Sequence, residues 1–137
     1  MNKIVLVTGG SRGIGAAAVQ AFARAGCRVI LNYNKSEAAA RAIADAWPGQ
    51  VFPVQADVSD PAQVEELFRQ AEALCGPVEV LVCNAGLAQQ KLFTDLTDED
   101  WARMIGVHLS GAFYCCRRAL PGMIRRKWGR ILTVSSM

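Results

Sequence analysis

The sequence predicts an α/β fold in which a doubly wound parallel sheet carries helices on both faces. Short apolar runs alternate with helical patterns along the 137-residue chain, and this alternation is typical of successive β-α-β units. The runs are apolar on both faces, as expected for strands buried in a parallel sheet. No linker interrupts the pattern, so we expect one domain over residues 1–137.

Composition excludes several classes of protein. Hydrophobic residues make up 52% of the chain, which is enough for a packed core and argues against disorder. No apolar run approaches the roughly 20 residues of a membrane span, and the net charge of +3 is too small to indicate nucleic-acid binding. The five cysteines lack metal-ligand spacing and there is one histidine, so we expect reduced thiols, a cytoplasmic location and no metal site.

The first half of the chain predicts three strands and three helices. The strands lie at residues 3–7, 28–32 and 51–55, and the helices at residues 13–25, 36–47 and 61–74. Ser36 is the expected N-cap of the second helix, and Asp60 that of the third. The predicted buried face of the first helix contains Ile14, Ala18, Ala21, Phe22 and Ala25. That of the third helix contains Val64, Leu67, Phe68, Ala71 and Leu74.

The second half predicts two further strands, at residues 79–83 and 130–134, and two helices. Thr97 is expected to cap a short helix in a capping box with Asp100, while Leu96 and Trp101 meet across the cap. A long helix over residues 107–127 is expected to bend near Pro121, because proline removes a backbone hydrogen bond.

The sequence TGGSRGIG at residues 8–15 joins the first strand to the first helix. Gly9, Gly13 and Gly15 allow dihedral angles closed to other residues, let a pyrophosphate approach the backbone, and permit close packing of the helix. The N-terminus of that helix adds unpaired N–H groups and a partial positive charge. Strand, glycine turn and helix in this order predict a dinucleotide-binding unit of the Rossmann type.

The carboxyl ends of all five predicted strands carry polar or glycine-rich turns. These turns are residues 9–15, 32–35, 57–58, 84–86 and 135–136. Because the carboxyl ends of parallel strands meet at one edge of a sheet, we expect one ligand-binding crevice there. An alternative role for Asn84 is to satisfy backbone groups of its turn, and the two roles are compatible.

Four motifs together resemble the short-chain dehydrogenase/reductase family. They are TGGSRGIG at 8–15, ADV at 56–58, CNAG at 83–86 and GRILTVSS at 129–136. The resemblance covers the whole chain and is greatest for 3-oxoacyl-acyl-carrier-protein reductases, with a related likeness to elongation factor P 5-aminopentanone reductases. It implies an oxidoreductase that interconverts C=O and CH–OH groups, a small-molecule ketone or carrier-protein-bound substrate, and a homo-oligomer at full length.

The resemblance also implies which residues hold the cofactor. A relative that uses NAD usually has an acidic residue after the second strand, whereas residues 32–35 read NYNK here. Arg12 and Lys35 can instead meet the 2′-phosphate of NADP(H), with a solvated loop charge as the alternative for Lys35. The predicted cofactor-binding residues are Gly9, Ser11, Arg12, Gly13, Ile14, Gly15, Asn32, Tyr33, Lys35, Asp57, Val58, Asn84, Ala85 and Gly86.

Two residues match catalytic positions of the family. Ser136 corresponds to the serine that hydrogen-bonds the substrate carbonyl, with a backbone-bonded strand-end serine as the alternative. His108 stands where the family commonly has an asparagine of the proton relay, and a structural hydrogen bond is its equal alternative.

The family's proton donor is missing from these residues, because no Tyr-x-x-x-Lys occurs in the chain. The sequence therefore resembles the N-terminal half of such an enzyme, and we do not expect these residues alone to reduce a ketone. A non-catalytic nucleotide-binding module is the alternative function.

Basic residues cluster near the end of the long helix: Arg117, Arg118, Arg125, Arg126, Lys127 and Arg130. Cations are favoured near a helix C-terminus and on solvated surface, which accounts for such a cluster. The alternative, suggested by the resemblance to carrier-protein reductases, is docking of an acidic carrier protein.

Overall fold

The computed structural model of the chain describes residues 1–88 and 90–135. Its strands are β1 (Ile4–Val7), β2 (Arg28–Tyr33), β3 (Val51–Gln55), β4 (Val80–Cys83) and β5 (Arg130–Thr133). Its α-helices are α1 (Gly13–Arg24), α2 (Glu37–Ala46), α3 (Pro61–Leu74), α4 (Asp98–Met104) and α5 (Gly111–Arg126). A short 3-10 helix, Phe93–Asp95, precedes α4, and a π-helical segment, Ile105–Ser110, joins α4 to α5.

All five strands are parallel and lie in the order β3-β2-β1-β4-β5. Val5 at the centre of β1 is paired with Val29 of β2 on one side and Val80 of β4 on the other. From β1 the chain winds outward in one direction through β2 and β3, and in the other through β4 and β5. The two halves therefore meet between β1 and β4, where doubly wound sheets open a crevice for ligands.

Successive residues of the central strand face two separate hydrophobic cores. Val5 and Val7 pack in the cluster that contains Val19 of α1, while Leu6 packs with Phe68 of α3. Helices α1 and α2 thus cover one face of the sheet, and α3 and α5 cover the other. The predicted doubly wound Rossmann-type fold is confirmed. Within the described ranges, no helix is long and apolar enough to cross a membrane.

Two of the three predicted helix caps form as expected. Asp60 Oδ1 accepts from the Ala62 N–H at 3.0 Å. Thr97 and Asp100 make the full capping box, with both hydrogen bonds at 3.0 Å. Ser36 stands at the N-cap position of α2, but its side chain makes no capping hydrogen bond.

The predicted buried face of α1 is wrong for Ile14, Ala21 and Ala25, which are exposed, whereas Phe22 packs against the core as expected. Gly15, Val19 and Ala23 face the sheet, whereas Ile14 is 67% exposed. This helix is rich in alanine, so its apolar pattern is nearly uniform around the axis and does not mark one face. The approach of Gly15 to the glycine turn sets the rotation of the helix instead.

One expectation for α3 also needs correction, and one for α5 is not tested. In α3 the predicted stripe is buried except for its last member, Leu74, which is 43% exposed because the helix ends there. Helix α5 is continuous through Pro121, and the predicted bend of its axis there stays a prediction, while π-helical geometry lies earlier, at Ile105–Ser110.

We predict that Leu67→Ala lowers the free energy of unfolding by about 3 kcal/mol, because Leu67 is 1% exposed and its removal leaves a cavity. Leu74→Ala makes the same chemical change at an exposed site on the same helix and is expected to cost less than about 1 kcal/mol. Urea unfolding of both variants measures the difference. Equal losses would contradict the burial pattern of α3.

Candidate functional site

A hydrogen-bonded junction joins the ends of β1 and β4. The Asn84 side-chain amide donates to the carbonyl oxygens of Thr8, at 3.2 Å, and Gly9, at 3.0 Å. In return, the Thr8 hydroxyl oxygen accepts from the backbone N–H groups of Asn84, at 3.0 Å, and Ala85, at 2.9 Å. The structure therefore supports the backbone role predicted for Asn84, and its contact with a cofactor stays a prediction.

A second asparagine joins the ends of β1, β2 and β3. Asn32 is 2% exposed; its Oδ1 accepts from the Gly9 N–H at 3.2 Å, and its Nδ2 donates to the Ala56 carbonyl at 3.1 Å. Because both ends of the side-chain amide are engaged with backbone, Asn32 holds the shape of the site. Its predicted contact with a cofactor is not tested by this geometry.

The glycine turn requires glycine for two reasons. Gly9 and Gly13 have φ angles of 62° and 54°, in the left-handed region that favours glycine. A Cβ at Gly9 would lie 2.8 Å from the Ala85 Cα, and one at Gly15 would overlap the Gly9 oxygen and the Asn84 side-chain nitrogen. Gly15 thus allows α1 to pack closely against the turn and Asn84.

The N-terminus of α1 is open to an anion. Arg12 occupies its N-cap without a side-chain capping bond, and the first turn contains no carboxylate. A Cβ placed at Gly13 would meet no atom within 4 Å in the described part of the chain. Free helix N–H groups and a partial positive charge beside open space fit a phosphate group.

A cleft of about 280 Å³ lies at this carboxyl edge of the sheet. It brings together these predicted residues: Gly9, Ser11, Arg12, Asn32, Tyr33, Lys35, Asp57, Val58, Ala85 and Gly86. The predicted residues that do not line the cleft are Gly13, Ile14, Gly15 and Asn84. Asn34, which belongs to the predicted turn 32–35 but not to the predicted cofactor-binding set, also lines the cleft. The lining residues that were missed from the sequence are Ser36, Ala56, Leu87, Arg103 and Val107.

Two hydrogen bonds from Ser59 orient the Asp57 carboxylate at the cleft. Its Oδ1 accepts from the Ser59 hydroxyl at 2.7 Å and from the Ser59 N–H at 3.0 Å. Burial raises the pKa of Asp57, but these hydrogen bonds and the charges of Arg103 and Lys35 outweigh burial and hold the pKa below its ordinary value. The cleft therefore contains an ionised carboxylate at neutral pH.

His108 contacts the turn that follows β4. Its Nε2 lies 3.1 Å from the Leu87 nitrogen and 2.9 Å from the Leu87 oxygen. An unprotonated Nε2 accepts from that N–H, and a protonated one donates to that carbonyl. A Cβ at Gly86 would lie 2.6 Å from the His108 ring. These contacts support the structural hydrogen bond, while participation in a proton relay stays a prediction.

The other predicted catalytic residue, Ser136, lies outside the described residues. The two residues before it follow β5, whose end borders a cavity of about 60 Å³ lined in part by Thr8, Cys83, His108 and Thr133. Within residues 1–88 and 90–135, no group of three or more His, Cys, Asp or Glu side chains is placed to hold a metal ion.

The π-helical segment was missed in the sequence, and it shapes one wall of the cleft. A Cβ at Gly106 would lie 3.2 Å from Ser59, and one at Gly111 would lie 2.9 Å from Val58. These glycines let the π-helical segment and the start of α5 approach the turn after β3, and Arg103 and Val107 of this stretch line the cleft. A glycine pair in a helical pattern was the available signal, but it does not specify π-helical geometry.

A family model described as short chain dehydrogenase matches residues 3–137. The chain belongs to the short-chain dehydrogenase family. This confirms the resemblance found in the four motifs, and it assigns the chain to a family of oxidoreductases whose cofactor is a nicotinamide dinucleotide.

Individual relatives agree with this assignment. The chain is 38% identical to a D-beta-hydroxybutyrate dehydrogenase of Cupriavidus necator over 98% of this chain and 53% of that protein. It is 36% identical to a 3-oxoacyl-[acyl-carrier-protein] reductase of Synechocystis over 98% of this chain and 56% of that protein. A short-chain dehydrogenase from Streptomyces avermitilis has a similar crystal structure, with a TM-score of 0.91, 32% identity, and coverage of 98% of this chain and 49% of that one.

The chain spans about half the length of the curated relatives it matches, at 53% and 56% for these two proteins. This coverage agrees with the expected resemblance to one half of such an enzyme.

We predict that Thr8→Val lowers the free energy of unfolding by about 2 kcal/mol, because valine keeps the shape but leaves two N–H groups without their acceptor. Thr94→Val, the same change at an exposed position, is the matched control and is expected to be within about 0.5 kcal/mol of the parent. Denaturant unfolding measures both. A neutral Thr8→Val would show that the junction does not stabilise the sheet edge.

Proposed function

We propose that the cleft binds NADP(H) and that the chain is the cofactor-binding part of an NADPH-dependent carbonyl reductase. The observation that supports this proposal is the positive charge, without an acidic residue, of the turn that follows β2. Lys35 and Arg12 line the cleft there, and no acidic residue stands between the end of β2 and Ser36.

NADP(H) differs from NAD(H) by a phosphate on the 2′-hydroxyl of the adenosine ribose. A carboxylate after the second strand accepts from the 2′-hydroxyl of NAD but repels a 2′-phosphate. Asn34 is neutral at this position. The planar guanidinium group of Arg12 and the ammonium group of Lys35 are both suited to bind a phosphate. When bound, the reduced cofactor supplies a hydride, and the residues of this chain hold its adenosine and phosphate groups.

The substrate class is proposed from the names of relatives. A 3-oxoacyl reductase and a beta-hydroxybutyrate dehydrogenase both act at the third carbon of an acyl chain, as their names state. We therefore propose a 3-oxoacyl substrate, either a small-molecule ketone or a group carried by acyl-carrier protein, and a role in fatty acid biosynthesis. A cytoplasmic location and a homo-oligomeric state belong to the same proposal.

A non-catalytic nucleotide-binding module is the second candidate. The residues of the cleft fit a nucleotide, and neither Tyr33 nor Tyr114 is followed by lysine four residues later. Turnover separates the two functions. A preparation containing this chain and the family's Tyr-x-x-x-Lys segment oxidises NADPH with a 3-oxoacyl thioester under the first proposal and does not under the second.

We predict that the chain binds NADPH more tightly than NADH and that Arg12→Ala weakens NADPH binding about tenfold, as for loss of a charged hydrogen bond to phosphate. NADH binding is expected to change less than about twofold, because NADH has no 2′-phosphate. Fluorescence titration of both cofactors measures this. Arg125→Ala, which removes an arginine outside the cleft, is the matched control.

The converse variant is Asn34→Asp, which adds a carboxylate without changing side-chain shape. The Gln55 side-chain nitrogen donates to Asn34 Oδ1 at 3.1 Å, and an aspartate still accepts this bond. We expect the variant to lose its preference for NADPH, again by repulsion of the 2′-phosphate. A parent chain that prefers NADH, or an unchanged preference in Asn34→Asp, would refute the assignment to NADP(H).

A further inference from the structure

The cleft contains three cations and one carboxylate. Arg12, Lys35 and Arg103 carry the positive charges, and Asp57 carries the negative one. The hydrogen bonds from Ser59 favour the ionised form of Asp57, so the carboxylate keeps its charge at neutral pH. A cleft that accepts an additional phosphate has to offset this charge, because like charges at close range repel.

Helix packing brings Arg103 to the same part of the cleft as Asp57. Arg103 lies in the last turn of α4, three residues before Gly106, so the two residues share one side of the helical stretch. Gly106 packs against Ser59, the residue that holds the Asp57 carboxylate. The side of the helix that carries Arg103 is therefore the side that faces the turn after β3.

Arg103 influences Asp57 through space. In the portion of the chain that the structure describes, the salt bridges within 4.0 Å include neither Arg103 nor Lys35 with Asp57. The charge of Arg103 nevertheless favours the ionised carboxylate, more strongly than that of Lys35. Arg103 is exposed and lines the cleft, so its charge can offset that of the carboxylate without a direct ion pair.

We propose that Arg103 sets the preference for a 2′-phosphate by offsetting the negative charge of Asp57. This inference rests on the proposed binding of NADP(H) and adds a specificity-determining residue to that site. Arg103 acts through Asp57, so its effect depends on the presence of the carboxylate and requires a positive charge at position 103 but not a guanidinium.

The first test measures cofactor affinity in the 137-residue chain. Arg103→Ala is expected to weaken NADPH binding about threefold to fivefold, the size typical of exposed charge interactions, and to leave NADH binding within about twofold. Arg103→Lys keeps the charge and is expected to retain the parent preference. Arg125→Ala removes the same charge from another surface and is the control for net charge.

The second test asks whether the effect requires Asp57. In an Asp57→Asn background, Arg103→Ala is expected to leave the ratio of NADPH to NADH affinity unchanged. NMR titration of the Asp57 carboxyl in the free chain measures its pKa, and this measurement does not require a bound cofactor. Its pKa is expected to rise in Arg103→Ala and to stay at the parent value in Arg103→Lys and Arg125→Ala.

The outcomes are distinguishable from those of the proposed function. A parent chain without preference for NADPH refutes the proposed function, while the Asp57 titration still reports on the pair. An unaltered preference in Arg103→Ala, or a loss that persists in the Asp57→Asn background, overturns the role of Arg103 and leaves the NADP(H) assignment intact.

Discussion

The hydrogen bonds between Thr8 and the turn after β4 fix the geometry on which the candidate site depends. β1 and β4 are the strands at which the winding of the sheet reverses, so their following turns lead to opposite sides of the crevice. The Asn84 side chain donates to the backbone of Thr8 and Gly9, and the Thr8 hydroxyl accepts from the backbone of Asn84 and Ala85. These four hydrogen bonds hold the turn after β1 and the turn after β4 at a fixed distance from each other.

This separation explains the requirement for glycine in the turn after β1. With Asn84 in place, a side chain at Gly15 would overlap its nitrogen, and a side chain at Gly9 would collide with Ala85. The close approach orients the start of α1, whose N-cap carries no side-chain bond. Asn32 completes the arrangement by joining Gly9 to Ala56 across three strand ends. An anion-accepting helix terminus is thereby fixed beside a cleft of predominantly positive charge.

Much of this arrangement could be predicted because it follows from local rules. The strands are apolar on both faces, α3 repeats its apolar residues at helical spacing, and the turns after the strands are polar. Asp60 and Thr97 cap their helices as short-range hydrogen bonding predicts. The family motifs at 8–15 and 83–86 then identify which strand ends form the site.

The features that could not be predicted depend on tertiary contacts between residues far apart in the sequence. The rotation of α1 is set by the approach of Gly15 to Asn84, so an alanine-rich pattern pointed to the wrong face. Arg103 lines the cleft beside the π-helical segment, which packs on Ser59 through Gly106, while Gly111 at the start of α5 packs on Val58. The position of Asn32 at a strand end does not reveal that its side-chain amide bonds to the backbone of Gly9 and Ala56.

The most direct measurement of the central claim is an NMR map of backbone amide shifts as NADP⁺ is added to the isotope-labelled chain. We expect saturable shifts at the glycine turn, at Lys35 and at Asp57, and no shifts at Arg125 and its neighbours on α5. Shifts confined to the arginine-rich surface of α5, or no saturable shifts at the carboxyl edge of the sheet, would contradict it.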